Sequence, residues 1–410
     1  MQLVLEILYM VLLFVASYYI SFHLVYWFEN RDKFRQRPKP IKDKDLPKIS
    51  LIVPAYNEED IIVETIEKLK KINYPKDKLE ITVIDDGSKD RTYEIAKKFE
   101  SEQIKVFTKP NSGKASTLNF GIEKAKNEFV GVMDADTYME KNALRECMKY
   151  FNEDGIAAVV SHVLVSRKTT FWEKMQGIEN MMIAFTRKAE EFPNVIRATP
   201  GPLSIYRKEV LVKLKGFDEK VLVEDVEIAW NILSRGYKIR MAFDAVVYSF
   251  YPSTFRKWWK TRIRWSVGGI QNLMKYFKSL GKKTYGVGGF LVPMESIGYF
   301  SAFVAIGIFL YLLGIRIFNF FTYVSRSLSL DLNPFARWEL GFNPDINIIY
   351  GLIVFLLSLC WIWVALRQHK WKFNFLNLLC FITIYSVIFP FISIAGAYNY
   401  FKGERGWLTK

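Results

Sequence analysis

Cysteine is scarce in this chain: Cys147, Cys360 and Cys380 are the only three among 410 residues. They form no close pair and no metal-type spacing, and two of them lie in apolar C-terminal runs. So odd and scattered a set argues against a disulfide framework and against a zinc site. No recognised nucleic-acid module occurs, so the net charge of +15 (57 Lys and Arg against 42 Asp and Glu) is not read as a nucleic-acid footprint. The chain also has no internal repeat and no low-complexity segment.

What it does have is apolar sequence, at 50% hydrophobic and 16% aromatic residues. Average soluble domains already reach about 45–50% apolar, so the distribution says more than the total. Long apolar runs occupy both ends, while residues 45–250 read as a charged globular insert. The first run, Leu3–Phe28, is broken only by Glu6. It is too long for a signal-peptide core and lacks a small-residue cleavage site, which predicts a retained transmembrane anchor over residues 1–28. The basic stretch Arg31-Asp32-Lys33-Phe34-Arg35-Gln36-Arg37-Pro38-Lys39 follows at once. By the positive-inside rule, the linker 29–47 lies on the cytoplasmic side. Three further apolar stretches cover about 286–314, 347–366 and 374–400. The first contains Pro293 and Glu295, so part of it can be re-entrant or packed on protein. If all three span, the C-terminus lies outside; if the first does not, it is cytoplasmic. The loop 325–346, with Arg326 and Arg337 against Asp331, Glu339 and Asp345, gives no clear sidedness.

From Ile49 the pattern becomes strands alternating with helices. Ile49–Val53, Ile81–Ile84, Ile104–Phe107 and Phe129–Met133 read as short strands, with helical spacing over Ile61–Leu69 and Tyr93–Phe99. Such alternation predicts an α/β domain with a mostly parallel sheet. After Tyr150 the regularity fades. Trp172–Lys188 and the Trp-, Arg- and Lys-rich Ser253–Lys278 suit either helices in a lipid interface or amphipathic helices of the soluble core.

Chemistry collects where these strands end. The fourth runs into Asp134-Ala135-Asp136, which puts two carboxylates at a sheet edge where open α/β sheets bind ligands. Oxygen ligands there suit Mg2+ or Mn2+, ions that bridge carboxylates to substrate phosphates, although a strand end or helix cap needs no ion. The first strand runs into Pro54-Ala55-Tyr56-Asn57-Glu58-Glu59, with Pro54 expected to stop it. The second runs into Asp85-Asp86-Gly87-Ser88-Lys89-Asp90, where turn and cap roles are the plain alternative. Together the two loops suit a nucleobase, ribose hydroxyls and a metal-bound diphosphate. Asn111–Asn119 has the look of a phosphate loop but lacks the Walker spacing; Lys114 near a helix start can still meet a diphosphate.

The order of motifs resembles that of membrane family-2 glycosyltransferases: Pro54–Glu58, Asp85-Asp86-Gly87-Ser88, Gly113-Lys114-Ala115, Asp134-Ala135-Asp136, Val223-Glu224-Asp225 and Arg264-Trp265. It is similar to the branch of poly-N-acetylglucosamine, hyaluronan, chitin and cellulose synthases. The resemblance implies a Rossmann-like GT-A domain over 48–250, interface helices over 251–283, a transmembrane region over 284–401 and a tail over 402–410. It further implies a multi-pass protein of the cell membrane with its catalytic domain cytoplasmic, a UDP-sugar donor and inversion at the anomeric carbon. Pro54, Tyr56, Glu58, Asp85 and Asp86 would contact the donor, and Lys114, Asp134 and Arg264 would lie by its ribose or diphosphate. Asp136, with Asp134, would bind Mg2+ or Mn2+. Asp225 would be the general base, with Glu224 beside it. Gly201, in Thr199-Pro200-Gly201-Pro202-Leu203, would border the sugar pocket, and Trp265 would offer its flat face to the acceptor.

An aspartate near its ordinary pKa is ionised at neutral pH and can take the acceptor proton. Two departures matter: Thr261 stands where the family has glutamine, and Val223 where it usually has threonine. The expected activity is processive synthesis and translocation of a β-linked polysaccharide. The alternative, favoured by Thr261, is transfer of one sugar to a ceramide-like or polyprenyl-phosphate lipid.

Overall fold

The apolar run beginning at Ile49 becomes the strand around which the sheet is ordered. The computed structural model of the protein describes residues 2–277, 288–330, 346–369 and 374–403. Strands β1 (Ile49–Ala55), β2 (Leu79–Asp85), β3 (Ile104–Thr108) and β4 (Phe129–Val132) match the expected ones. They lie side by side in the order β3-β2-β1-β4, all parallel. Every residue of β1 except Pro54 is buried, as expected of a strand covered on both faces.

Beyond β4 the sheet departs from expectation. β5 (Thr137–Met139), β6 (Ile156–Val165), β7 (Ser204–Arg207) and β8 (Lys238–Ser249) complete an eight-stranded sheet, ordered β3-β2-β1-β4-β7-β6-β8-β5. β7 runs antiparallel to both β4 and β6, and β5 antiparallel to β8, while β6 and β8 are parallel, so the sheet is mixed with four of its seven pairings parallel. Strand–helix alternation predicts the parallel half correctly. The rest is built from long-range pairings that local periodicity does not encode.

Pro54 does not stop β1, which continues to Ala55 and keeps Pro54 in register with Ile84. The proline is tolerated because β1 pairs with β4 only as far as Ile52, so no ladder bond to β4 is lost at Pro54. Gly121, on the Lys114–Lys124 helix, lets that helix lie close on the sheet; a Cβ there would sit 2.6 Å from Ile52.

Two helices pack around the sheet domain's second half. Phe171–Glu190 is capped by a reciprocal bond pair between Thr170 and Glu173. It is buried almost throughout, including Glu179, Asn180, Arg187 and Lys188, so it is a packed helix of this unit. Phe255–Phe277 buries Trp258, Arg262, Val267 and Asn272 and exposes Phe255, Met274 and Phe277. The two are joined by a buried ion pair of Glu179 with Arg262 and by Trp172 stacked on Trp258 at 4.8 Å.

The chain divides into two compact units, one of Tyr26–Pro293 with Gly396–Lys410 and one of Met1–Val25 with Met294–Ala395. Among the described residues, four helical segments are long and apolar enough to cross a membrane: Ile7–Glu29, Val304–Ser329, Ile348–Gln368 and Phe375–Lys402. Pro293 and Glu295 lie within one continuous helix, Gly288–Ser329, ahead of the second of these segments. Within the helical unit, Tyr19 meets Trp361 edge-on at 5.9 Å, and the Ser17 and Tyr350 hydroxyls bond at 2.8 Å. Most of the loop read for sidedness and the tail past residue 403 lie outside the described residues.

Phe34 secures the linker to the sheet unit, buried among Phe185, Phe192 and Phe243 with ring centroids 5.6–6.3 Å away. Phe34→Ala is expected to cost about 3–5 kcal/mol, read as a lowered unfolding midpoint in detergent.

Candidate active site

The carboxyl ends of β1, β2 and β4 open onto one rim of the sheet. Asn57, in the left-handed region at φ 55°, turns the chain sharply after β1. Its backbone N–H donates to Ser88 Oγ at 2.9 Å, and its side-chain oxygen accepts from the Lys89 N–H at 2.9 Å. The Glu58 N–H donates to Thr92 Oγ1 at 2.8 Å. These bonds lace the loops after β1 and β2 together, with Tyr56 and Glu58 half-buried between them.

Asp85 and Asp86 are both buried and both turned to internal partners. Asp85 accepts from the Ser88 N–H at 3.2 Å and from Thr108 Oγ1 at 2.9 Å. Asp86 accepts from Lys109 Nζ at 2.8 Å and from the Ser112 and Gly113 N–H groups at 3.1 and 2.9 Å. The pair thus fixes the 109–113 loop. Gly113, at φ 94°, then starts the helix whose first residue is Lys114.

Lys114 is the centre of the site. Its ammonium lies 2.5 Å from Asp134 Oδ1 and 3.3 Å from Glu224 Oε1. Burial works against this charge, but Asp134, Glu224 and Asp225 outweigh it and hold the lysine pKa above its ordinary range. The loop before β7 closes over the pair: the Asp134 N–H donates to Gly201 O at 3.1 Å. A Cβ on Gly201 would fall 2.6 Å from both Asp134 Oδ2 and Lys114 Nζ, so glycine is required for this approach. In the same loop, the Thr199 N–H and Oγ1 both donate to the Asp225 carbonyl, at 3.0 and 2.9 Å.

Asp225 and Asp136 share an electrostatic signature. Burial and the charge of Glu224 push the Asp225 carboxyl up to about 6, against the pull of Lys114 and Arg264. Burial and the charge of Asp134 push Asp136 up to about 6 as well, against the pull of Lys114. Asp225 is thus not the ordinary aspartate expected from sequence: burial, with Glu224 beside it, raises it. With a pKa near 6, roughly nine in ten Asp225 carboxyls remain ionised at pH 7.

No group of three or more His, Cys, Asp or Glu suited to a metal occurs among the described residues. Two carboxylates, one of them destabilised by the other's charge, nevertheless suit Mg2+ or Mn2+, which complete their shells with phosphate oxygens and water.

The Phe255–Phe277 helix contributes a donor-side candidate, Arg264, and the acceptor-side candidates Trp265 and Thr261. Arg264 lies close enough to Asp225 to favour its charged form. Trp265 is half-buried and has the Arg262 guanidinium 4.1 Å from its ring centroid, so one face is taken. Thr261 Oγ1 donates to Lys257 O of its own helix at 3.0 Å. Roles for Lys109, Glu179 and Arg262 are not apparent in the sequence. Lys109 carried the only local signal, being the lysine just before the glycine loop.

Residues 50–215 match the family model described as Glycosyl transferase family 2. The chain is 33% identical over 248 residues to a probable glycosyltransferase of Bacillus subtilis, covering 58% of this chain and 59% of that protein. It is 28% identical over 274 residues to poly-beta-1,6-N-acetyl-D-glucosamine synthase of Staphylococcus aureus, covering 66% of each. It thus spans less than two thirds of the length of these curated relatives. In fold it is similar to a mannosyltransferase from Pyrobaculum calidifontis solved in complex with GDP-Man and Mn2+. That likeness has a TM-score of 0.61 and 18% identity, and covers 97% of this chain and 99% of that one. The matched segment and the likeness in fold agree: the chain carries a family-2 glycosyltransferase domain of GT-A fold, together with helices apolar enough to cross a membrane.

Proposed function

We propose that the protein is a membrane-embedded, inverting glycosyltransferase that takes a hexose or N-acetylhexosamine from a UDP-sugar on the cytoplasmic side and extends a β-linked polysaccharide. The single observation that carries this reading is the Lys114 ammonium between Asp134 and Glu224, which draws the donor-side and base-side segments into one site. Similarity over 274 residues to a polysaccharide synthase supports the polymer product.

In this mechanism Tyr56 and Glu58 receive the nucleoside on the framework that Asp85 and Asp86 hold rigid. Asp134 and Asp136 would hold Mg2+ or Mn2+, which when bound offsets charge on the departing diphosphate. Lys114 and Arg264 add charge-assisted bonds to the same oxygens. The acceptor hydroxyl oxygen attacks the anomeric carbon from the face opposite the diphosphate. As that bond forms, the sugar–phosphate bond breaks and Asp225 takes the hydroxyl proton. A base with a pKa near 6 is ionised at neutral pH yet basic enough to share a proton in the transition state. Glu224 keeps Lys114 in place, and Trp265 can stack an acceptor sugar only on the face away from Arg262.

One observation favours a second reading, single-sugar transfer to a lipid. Thr261 is short, and its hydroxyl is committed to its own helix, so the acceptor side lacks the amide of processive relatives. Membranes given labelled UDP-glucose, UDP-N-acetylglucosamine or, as a control for nucleotide choice, GDP-mannose with Mn2+ separate the cases. Long polymer supports the first reading and a solvent-extractable glycolipid the second; no transfer from any donor overturns both.

Three variant and pH outcomes follow. Asp225→Asn is expected to lower turnover roughly 10²–10⁴-fold while donor binding, measured by titration calorimetry, stays unchanged. Because the base acts deprotonated and its pKa is raised, kcat/KM of the wild type should fall as pH drops through about 6. Asp136→Ala should weaken Mn2+-dependent UDP binding, and identical titration curves would count against metal ligation there.

A further inference from the structure

The segment that carries the base is entered, like several other helices of this domain, without a side-chain cap. Glu224–Ser234 begins after Val223, which occupies the N-cap position with no side-chain capping bond. Valine has no oxygen with which to bond the first N–H groups of a helix. The entry must therefore be fixed from outside, and the Phe255–Phe277 helix does so. The Leu222 N–H donates to Gln271 Oε1 at 3.0 Å. Gly268 lies under Val223, so closely that even a methyl group there would collide with the valine side chain. Lys275 pairs with Asp218 at 2.6 Å and with Glu227, and Tyr276 donates to Glu227 Oε1 at 2.8 Å. Glu227 is only 1% exposed, so the contacts to it reach the interior, whereas the Lys275–Asp218 pair lies at the surface.

The helix positions involved are 264, 268, 271 and 275, spaced four, three and four apart. That spacing places them on one face of an α-helix. The face that brings the Arg264 charge toward Asp225 is thus the face that grips residues 218–227.

We infer that Gln271 is a positioning residue for Asp225, acting through the Leu222 backbone, so that the acceptor-side helix and the base move as one body. The inference rests on the reading of Asp225 as general base. Thr199 holds the Asp225 carbonyl from the other side, and Gly268, Lys275 and Tyr276 hold Val223, Asp218 and Glu227, so loss of Gln271 releases the one restraint on the Leu222 N–H and leaves the fold intact.

The test uses the full-length protein in detergent or nanodiscs, with whichever UDP-sugar and acceptor support wild-type transfer. Gln271→Ala and Gln271→Met, which removes the acceptor oxygen at similar length, should lower kcat roughly 10- to 100-fold. The Kd for the UDP-sugar with Mn2+ should not change. Gln271→Glu keeps an oxygen for the Leu222 N–H and should recover most of the loss. Wild-type kcat in the Ala and Met variants overturns the inference. So does a donor Kd that weakens in step with kcat, or a Glu variant as slow as Ala, since general damage would look like that. Full turnover in Asp225→Asn would instead remove the base assignment, and this inference with it.

Discussion

One ammonium group organises the site. Asp134, Asp136, Glu224 and Asp225 come from two distant parts of the chain, and four carboxylates do not gather without positive charge among them. Lys114 supplies it at contact distance to Asp134 and Glu224, and Arg264 adds to it near Asp225. The lysine is itself aimed by a chain of bonds: Asp86 holds the Gly113 N–H, Gly113 turns the backbone, and the helix starts at Lys114. Burial first, and residual repulsion second, push Asp136 and Asp225 up to about 6. That imbalance suits a site meant to receive further cationic charge along with its substrate.

A second constraint lies behind the first. The Phe171–Glu190 and Phe255–Phe277 helices are joined through Glu179 and Arg262, both 2% exposed, with Trp258 and Trp265 about the guanidinium. A buried ion pair is weak evidence for stability, but breaking one leaves a bare charge in the interior. It therefore selects one arrangement of the two helices over sliding alternatives. Through that arrangement Trp265 and Arg264 acquire fixed places relative to the sheet rim.

Much of this was legible in the sequence, for a physical reason. The parallel strands from Ile49 to Val132 are continuous apolar runs, and the acidic pairs after them mark their ends. The Lys114 helix start and Gly201 were likewise readable as parts of ordered motifs. What escaped was non-local. Antiparallel β7 pairs with β4 across more than 70 residues, and nothing in Ser204–Arg207 announces its direction. Pro54 looked like a strand stop because its tolerance depends on where β4 leaves β1. Glu179 and Arg262 sit 83 residues apart and become partners only when the two helices pack. The raised Asp225 carboxyl has a similar origin: Glu224 is its sequence neighbour, but the burial that raises it most comes only with the packed fold.

The inward-turned acids after β2 alter how the rim receives an anion. Read linearly, Asp85 and Asp86 look like exposed negative charge that would repel a nucleotide on approach. Asp86 is instead paired with Lys109 and bonded by loop amides, and Asp85 is turned to a hydroxyl and an amide, so both carboxylates spend their acceptor capacity inside the protein. In the proposed mechanism the nucleoside end of the cleft is then a stiff template with its acids facing inward, and discrimination among bases would fall to shape and to the polar groups of the neighbouring Tyr56–Glu58 turn.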